Sequence, residues 1–197
     1  MKLGCVIMAA GASRRFGENK LLQTLGGKPL YLRALEAVPP GVFSQVAVVT
    51  ACAPMAEYAR GMGFAVIDNR EPEKGVSLTI RLGLESMPDC DGVLFMTADQ
   101  PLLTQNGIRT VVETFLQQPD CIAAAAADGV RGNPCLFPKE FFPALLTLEG
   151  DTGGSRIIRA NPHLLRLAEL PAQELADTDT AADLQALETC FSGNIPV

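Results

Sequence analysis

The sequence predicts an α/β protein: one domain, residues 1–197, built on a doubly wound, mostly parallel sheet. Three observations carry this. Short apolar runs suited to buried strands alternate with stretches of helical period along the chain. No repeat, low-complexity tract or linker divides it. The 197 residues are 48% apolar, with a mean hydropathy of +0.20, enough for one sizeable core.

Leu3 to Met8 is a continuous apolar run and reads as a buried strand. The small-residue stretch Ala9 to Asn19 is a loop, and Pro29 suits the first turn of the helix that follows. Val46 to Thr50 is the next strand. Met55, Tyr58, Ala59 and Met62 recur at helical spacing and predict one apolar stripe. Strand Ala65 to Ile67 precedes a helix from Ser77 to Met87, whose Ile80, Leu84 and Met87 share a face. Strand Gly92 to Thr97 follows. Thr104 then caps a helix with Ile108, Val111, Val112 and Phe115 facing inward. Strands Ile122 to Ala126 and Pro134 to Phe137, short helices around Phe142 to Leu148 and Gly154 to Ala160, a strand near Leu164 to Leu170 and a helix from Ala181 complete the reading. In such a sheet ligands bind at the carboxyl ends of the strands, so the loops after Met8, Ile67 and Thr97 are where a site belongs.

Composition narrows the function. Sixteen basic against 22 acidic residues give a net charge of −6 and a pI near 4.8, which argues against a general binder of nucleic acid or anionic membrane. The six cysteines Cys5, Cys52, Cys90, Cys121, Cys135 and Cys190 lack the close spacings of a zinc or redox pair and read as reduced core thiols of a cytoplasmic protein. The start, MKLGCVIMAAGASRR, runs too soon into Arg14 and Arg15 for a signal peptide. The apolar stretches are too short and too Gly-interrupted for a membrane span. A single histidine, His163, follows the turn pair Asn161-Pro162 and reads as a surface residue. No G-x-S-x-G elbow supports Ser13, Ser77 or Ser155 as a nucleophile. The chemistry therefore needs neither a covalent nucleophile nor a histidine base.

The first loop reads AAGASRRFGENK. Ala9, Ala10 and Gly11 let a ligand approach the backbone amides. Lys2, Arg14, Arg15, Lys20 and Lys28, against Glu18 alone, make Met1 to Leu30 the most basic stretch of an acidic chain, which suits a polyphosphate. Gly11 is followed next by Gly17, so neither the G-x-G-x-x-G fingerprint nor the P-loop is present. A strand-to-helix turn with solvated arginines accounts for the same residues. In VLFMTADQP, Asp99 ends an apolar strand just before Pro101, where a carboxylate meets magnesium beside phosphates or makes an Asx turn. Asp177 and Asp179 in ADTDTAADL offer a second carboxylate, while Thr180 with Asp183 also forms a capping-box variant.

The segments GCVIMAAGASRRFGENKLLQTLGGKPL, GVSLTIRLGL, TADQP, GNPCLFP and DTDTAADL, in that order, resemble the molybdenum cofactor nucleotidyltransferases, over almost the whole chain. The AAG opening and the FGENKLL continuation look most like the cytidylyltransferases of that group. The resemblance implies a single Rossmann-like nucleotidyltransferase domain. It implies transfer of a nucleoside monophosphate, CMP from CTP here, to the terminal phosphate of molybdopterin, with Mg²⁺ required and pyrophosphate released. It implies nucleotide contacts from Ala9, Ala10, Gly11 and Ser13, with Arg15 on the triphosphate and Lys20 near the α-phosphate. Asp99 and Asp179 would bind the metal, and Gly75, Ser77 and Leu78 would flank the base. Gly132, Pro134 and Asp151 would face the pterin. Two departures from the family pattern stand out: Ala181 replaces the proline after Asp-Thr, and GDTGGSR carries an extra residue before Arg156.

The implied reaction fits what the sequence lacks. A phosphate monoester, with its second pKa near about 6, is largely a dianion at neutral pH and needs no general base. Arg15, Lys20 and magnesium would supply positioning and charge stabilisation. Other readings are a guanylyltransferase, a nucleotidyltransferase for another phosphorylated metabolite, a dinucleotide-dependent oxidoreductase, and a carrier delivering the cofactor to a molybdoenzyme. An oxidoreductase would carry G-x-G-x-x-G. A carrier has no need of Lys20 and Asp99 together.

Overall fold

The computed structural model describes residues 1–11 and 19–193. Its main sheet has seven strands in the order β5-β4-β1-β6-β8-β7-β9. The strands are β1 (Leu3–Ala9), β4 (Gln45–Thr50), β5 (Ala65–Asp68), β6 (Gly92–Thr97), β7 (Ile122–Ala127), β8 (Val130–Pro138) and β9 (Leu165–Glu169). A two-stranded ribbon, β2 (Thr24–Leu25) and β3 (Lys28–Pro29), stands apart. β1 pairs in parallel with both β4 and β6, β4 with β5, and β7 with β9. β8 alone runs antiparallel, between β6 and β7. The mostly parallel sheet is thus as the sequence predicts. The β7–β8 hairpin is the added feature, turning at Asp128 (φ 51°) and Gly129 (φ 75°). Positive φ at both positions is what an Asp-Gly hairpin turn requires.

Helices cover both faces: α1 (Leu30–Glu36), α2 (Ala53–Gly61), α3 (Val76–Glu85), α4 (Gln105–Gln117), α5 (Phe142–Leu146), α6 (Ser155–Ala160) and α7 (Ala181–Gly193). β1 alternates between two cores, as a strand buried on both sides must. Cys5 and Ile7 pack with Met55, Ile108, Val111 and Phe115, whereas Val6 packs with Ile80, Leu84 and Phe137. Gly83 lets α3 lie directly on β1, since a Cβ there would overlap the Val6 side chain. Thr104 caps α4 as the sequence predicts, its Oγ1 accepting from Gly107 N at 3.0 Å. The α2 stripe is narrower than its period suggests: Met55 and Ala59 are fully buried, but Tyr58 and Met62 are 43% and 38% exposed. α2 covers only the β4–β5 end of the sheet, too little to bury the whole stripe. The five cysteines within the described side chains are buried and free, and His163 is exposed. No helix among the described residues is long and apolar enough to cross a membrane.

Candidate active site

β1 connects through α1 to β4 on one side, and α3 leads into β6 on the other, so the chain reverses direction across the sheet between β1 and β6. The connections that leave the carboxyl ends of these two strands therefore part to opposite sides, and a crevice lies between them. It is a cavity of about 400 Å³, within the size range of small-molecule sites. Ala9, Ala10 and Gly11 line it from the end of β1, Pro72 and Glu73 from the loop after β5, and Thr97, Ala98 and Asp99 from the end of β6. Gly75, Val76 and Thr79 close one wall at the start of α3, beside Asp151. Gly75 has φ +87°, and a Cβ there would overlap the Gly150 carbonyl and approach Asp151 N to 2.7 Å. Ser77 N then donates to Gly150 O at 3.1 Å, fixing that loop against the helix.

The charged centre is assembled from three distant segments. Asn19 caps a short 3₁₀ turn, its side chain accepting from Leu21 N at 3.2 Å, and buried Leu21 anchors the turn to the core. Lys20 is thereby aimed inward: its Nζ lies 2.7 Å from Asp99 Oδ2 and 3.4 Å from Asp179 Oδ1, with the lysine side chain 13% exposed. Fully buried Thr178 locks the two acidic segments together, donating from N (2.9 Å) and from Oγ1 (2.8 Å) to the Asp99 carbonyl. Thr180 and Asp183 form the reciprocal cap of α7, so Asp183 is spent on the helix. The surrounding cap bonds hold the Asp183 carboxyl below the usual carboxylate range. Asp177 goes the other way, pushed up to about 6, first by desolvation and then by Asp99 and Asp179, with Lys20 and Gln100 opposing. Part of Asp177 still faces solvent. Asp99 Oδ1 is buried without a hydrogen-bond partner among the described residues, an acceptor left over for a cation or donor. Among the described residues no group of three His, Cys, Asp or Glu side chains could hold a metal ion.

A cleft with this charge at the switch point suits a nucleotide, and the comparisons agree. The MobA-like NTP transferase domain matches residues 5–167. The chain belongs to that family. As a MobA-like NTP transferase it is a nucleotidyltransferase, and the resemblance to the molybdenum cofactor nucleotidyltransferases holds. Purine catabolism protein PucB of Bacillus subtilis is 28% identical over 202 residues, 95% of this chain and 96% of that protein. A probable molybdenum cofactor guanylyltransferase of Pyrococcus horikoshii is 31% identical over 115 residues, 58% of this chain; the match spans only 57% of that protein's length. Among solved structures, a Mycobacterium sp. strain JC1 homologue of Mycobacterium tuberculosis rv0371c superposes with a TM-score of 0.80 at 25% identity, covering 98% of this chain and 99% of that one.

Ala9, Ala10, Gly11, Lys20, Gly75, Asp99 and Asp151, singled out from the sequence, all line this transferase's cleft. Asp179 reaches it through Lys20. Ser13, Arg14 and Arg15 lie outside the described residues. Ser77 and Leu78 are not among the lining residues; one helical turn instead presents Val76 and Thr79. Thr79 Oγ1 accepts from buried Asn69 Nδ2 at 3.1 Å, which leaves the hydroxyl proton to donate elsewhere. Gly132 and Pro134 lie on β8 outside the lining, Gly132 against Leu175. Arg156 is exposed on α6. The basic stretch is less concentrated than its sequence implies: Lys2 precedes β1, at the far end of the strand, its backbone N donating to Asp91, and Lys28 pairs with Glu36. Thr178 has no motif that announces its clamp, since its partner is a backbone carbonyl 79 residues away.

Proposed function

We propose that the chain transfers CMP from CTP to the terminal phosphate of molybdopterin, releasing pyrophosphate, and that the product goes to a molybdoenzyme in the cytoplasm. The observation that carries this reading is the Lys20 ammonium held between Asp99 and Asp179 at the mouth of the crevice in an NTP transferase. A terminal phosphate oxygen of the acceptor attacks the α-phosphorus of the triphosphate. The bond from that phosphorus to the oxygen bridging to the β-phosphorus breaks, and the electron pair leaves with pyrophosphate. The acceptor phosphate is already largely a dianion, so the protein's task is to bring two anions together and stabilise charge. Lys20 does so at the α-phosphate. The backbone of Ala9 to Gly11 and the wall of Gly75, Val76 and Thr79 cradle the nucleoside, and Arg15 and Ser13 hold the phosphates.

The residues present fit a divalent cation. Asp99 Oδ1 is a buried acceptor without a partner among the described residues, and Asp99 and Asp179 converge on one positive charge. Two carboxylates, with the remaining ligands from phosphates and water, is the usual way magnesium is held. Mg²⁺ bound there would polarise the phosphates and neutralise charge on the leaving group.

The AAG opening, through the resemblance it carries, supports cytidine as the base. A second reading, GTP, is favoured by the names of the molybdenum cofactor guanylyltransferases. Pyrophosphate release with Mg²⁺, molybdenum-loaded molybdopterin and each of CTP, GTP, ATP and UTP separates the two. Acceptor-dependent release with CTP is expected. Release with GTP alone transfers the reading to guanylyl transfer, and none with any triphosphate overturns it in favour of another acceptor or a carrier.

A further inference from the structure

β8 carries an arginine that neither the nucleotide nor the metal reading uses. Arg131 is half-buried, and its described contacts are neutral: Nη2 donates to Ser155 Oγ at 2.9 Å and Nη1 lies 3.9 Å from Cys135 Sγ. No carboxylate pairs with it among the described residues, although a partly desolvated guanidinium ordinarily recruits one.

Its position is fixed from two sides. Across the β7–β8 pair Arg131 lies opposite Ala126, beyond a bulge in β8, which sets it at the carboxyl end of β7; β7 and β6 run the same way, so this is the sheet edge at which Thr97 ends β6 and lines the crevice. Next to it, Gly132 packs on Leu175, two residues before Asp177. On the other side, Ser155 begins α6 two residues after Gly153, where a Cβ would lie 3.7 Å from the cavity-lining Val76. Arg131 thus stands between the acidic segment and the Asp151–Ser155 loop, on the opposite side of β6 from the β1 loop.

We propose that Arg131 is the anion anchor of the acceptor, binding the phosphate that attacks the nucleotide. This rests on the phosphorylated-acceptor reading above. The planar guanidinium offers paired N–H donors matched to a phosphate, and Ser155 orients it without neutralising it.

The test is equilibrium binding of molybdopterin and, separately, of Mg·CTP and Mg·GTP to wild-type protein, Arg131→Gln and Arg131→Lys, followed by KM for each substrate. For Arg131→Gln the molybdopterin Kd and KM should rise about 10- to 100-fold, the range for losing a charged hydrogen bond, with triphosphate binding unchanged. Arg131→Lys keeps the charge but not the fork and should fall between; it also decides the matter if Arg131→Gln does not fold. Unchanged molybdopterin binding in both variants, or an equal loss for the triphosphate, overturns the assignment of Arg131 alone. Wild-type protein that binds triphosphate but not molybdopterin overturns the acceptor reading, and this assignment with it.

Discussion

On the proposed reading, Lys20 and Asp99 serve the chemistry and are dispensable to folding. The hydrogen bonds that tie the Asp99 loop down run from Thr178 to the Asp99 carbonyl, not to its carboxylate. Asp99→Ala should therefore leave the thermal transition near that of wild type while lowering nucleotidyl transfer by a factor on the order of 10² to 10³ or more, as for loss of a preorganised electrostatic group. Circular-dichroism melts beside initial rates check both halves. Asp177 carries a pH signature. Its folded pKa, about 6, lies above the unfolded value, so between roughly pH 4 and 6 the native state holds the extra proton. Its contribution is fully present below the unfolded pKa and is lost as pH rises through about 6. In chelator-treated protein, Asp177→Asn should melt higher than wild type at pH 7.5, with the gap closing towards pH 4. A gap that is constant across that range would show that Asp177 is not held in its raised state.

At the scale of elements, the site depends on how loops are pinned to helix ends. The start of α3 is set by Gly75, whose conformation and contact with Gly150 exclude a side chain. Gly75→Ala should cost about 1–3 kcal/mol, the scale of local backbone strain, and displace the wall that Asp151 shares; a raised KM for triphosphate with a lowered Tm is the expected result. At the other end, Glu174 accepts from Thr104 N (2.9 Å) and Oγ1 (2.8 Å), placing a carboxylate at the amino end of α4. That contact anchors the chain just before Asp177 and Asp179. Helix periods and caps were readable in advance because they are local: Thr104 with Ile108, Val111, Val112 and Phe115 lies in one continuous stretch. The Asp128-Gly129 pair is an equally local hairpin signal, yet the predicted strands Ile122 to Ala126 and Pro134 to Phe137 left it out, and both strands run on to meet at that turn. The placing of β8 beside β6 was not legible, because that pairing joins segments far apart in sequence. Nor was the shift from Ser77 and Leu78 to Val76 and Thr79, which depends on the rotation of α3 about its axis.

For the whole molecule, a sheet that reverses direction between β1 and β6 determines where the ligand goes before any side chain is considered. The chain then brings Lys20 to Asp99, 79 residues on, and to Asp179, 159 residues on. The glycine- and alanine-rich loop and the Asp-Gln-Pro turn could be recognised as motifs, but their meeting with the DTDT segment is a property of the folded topology, secured by Thr178. The central claim is that this crevice moves a nucleotidyl group onto a phosphate. It is tested most directly by incubating the protein with molybdopterin, Mg²⁺ and triphosphate labelled at the α-phosphorus, beside Asp99→Ala. Label recovered covalently on the acceptor with wild type, and lost in Asp99→Ala, is the predicted result; label that stays in the triphosphate, or transfer undiminished in the variant, would contradict it.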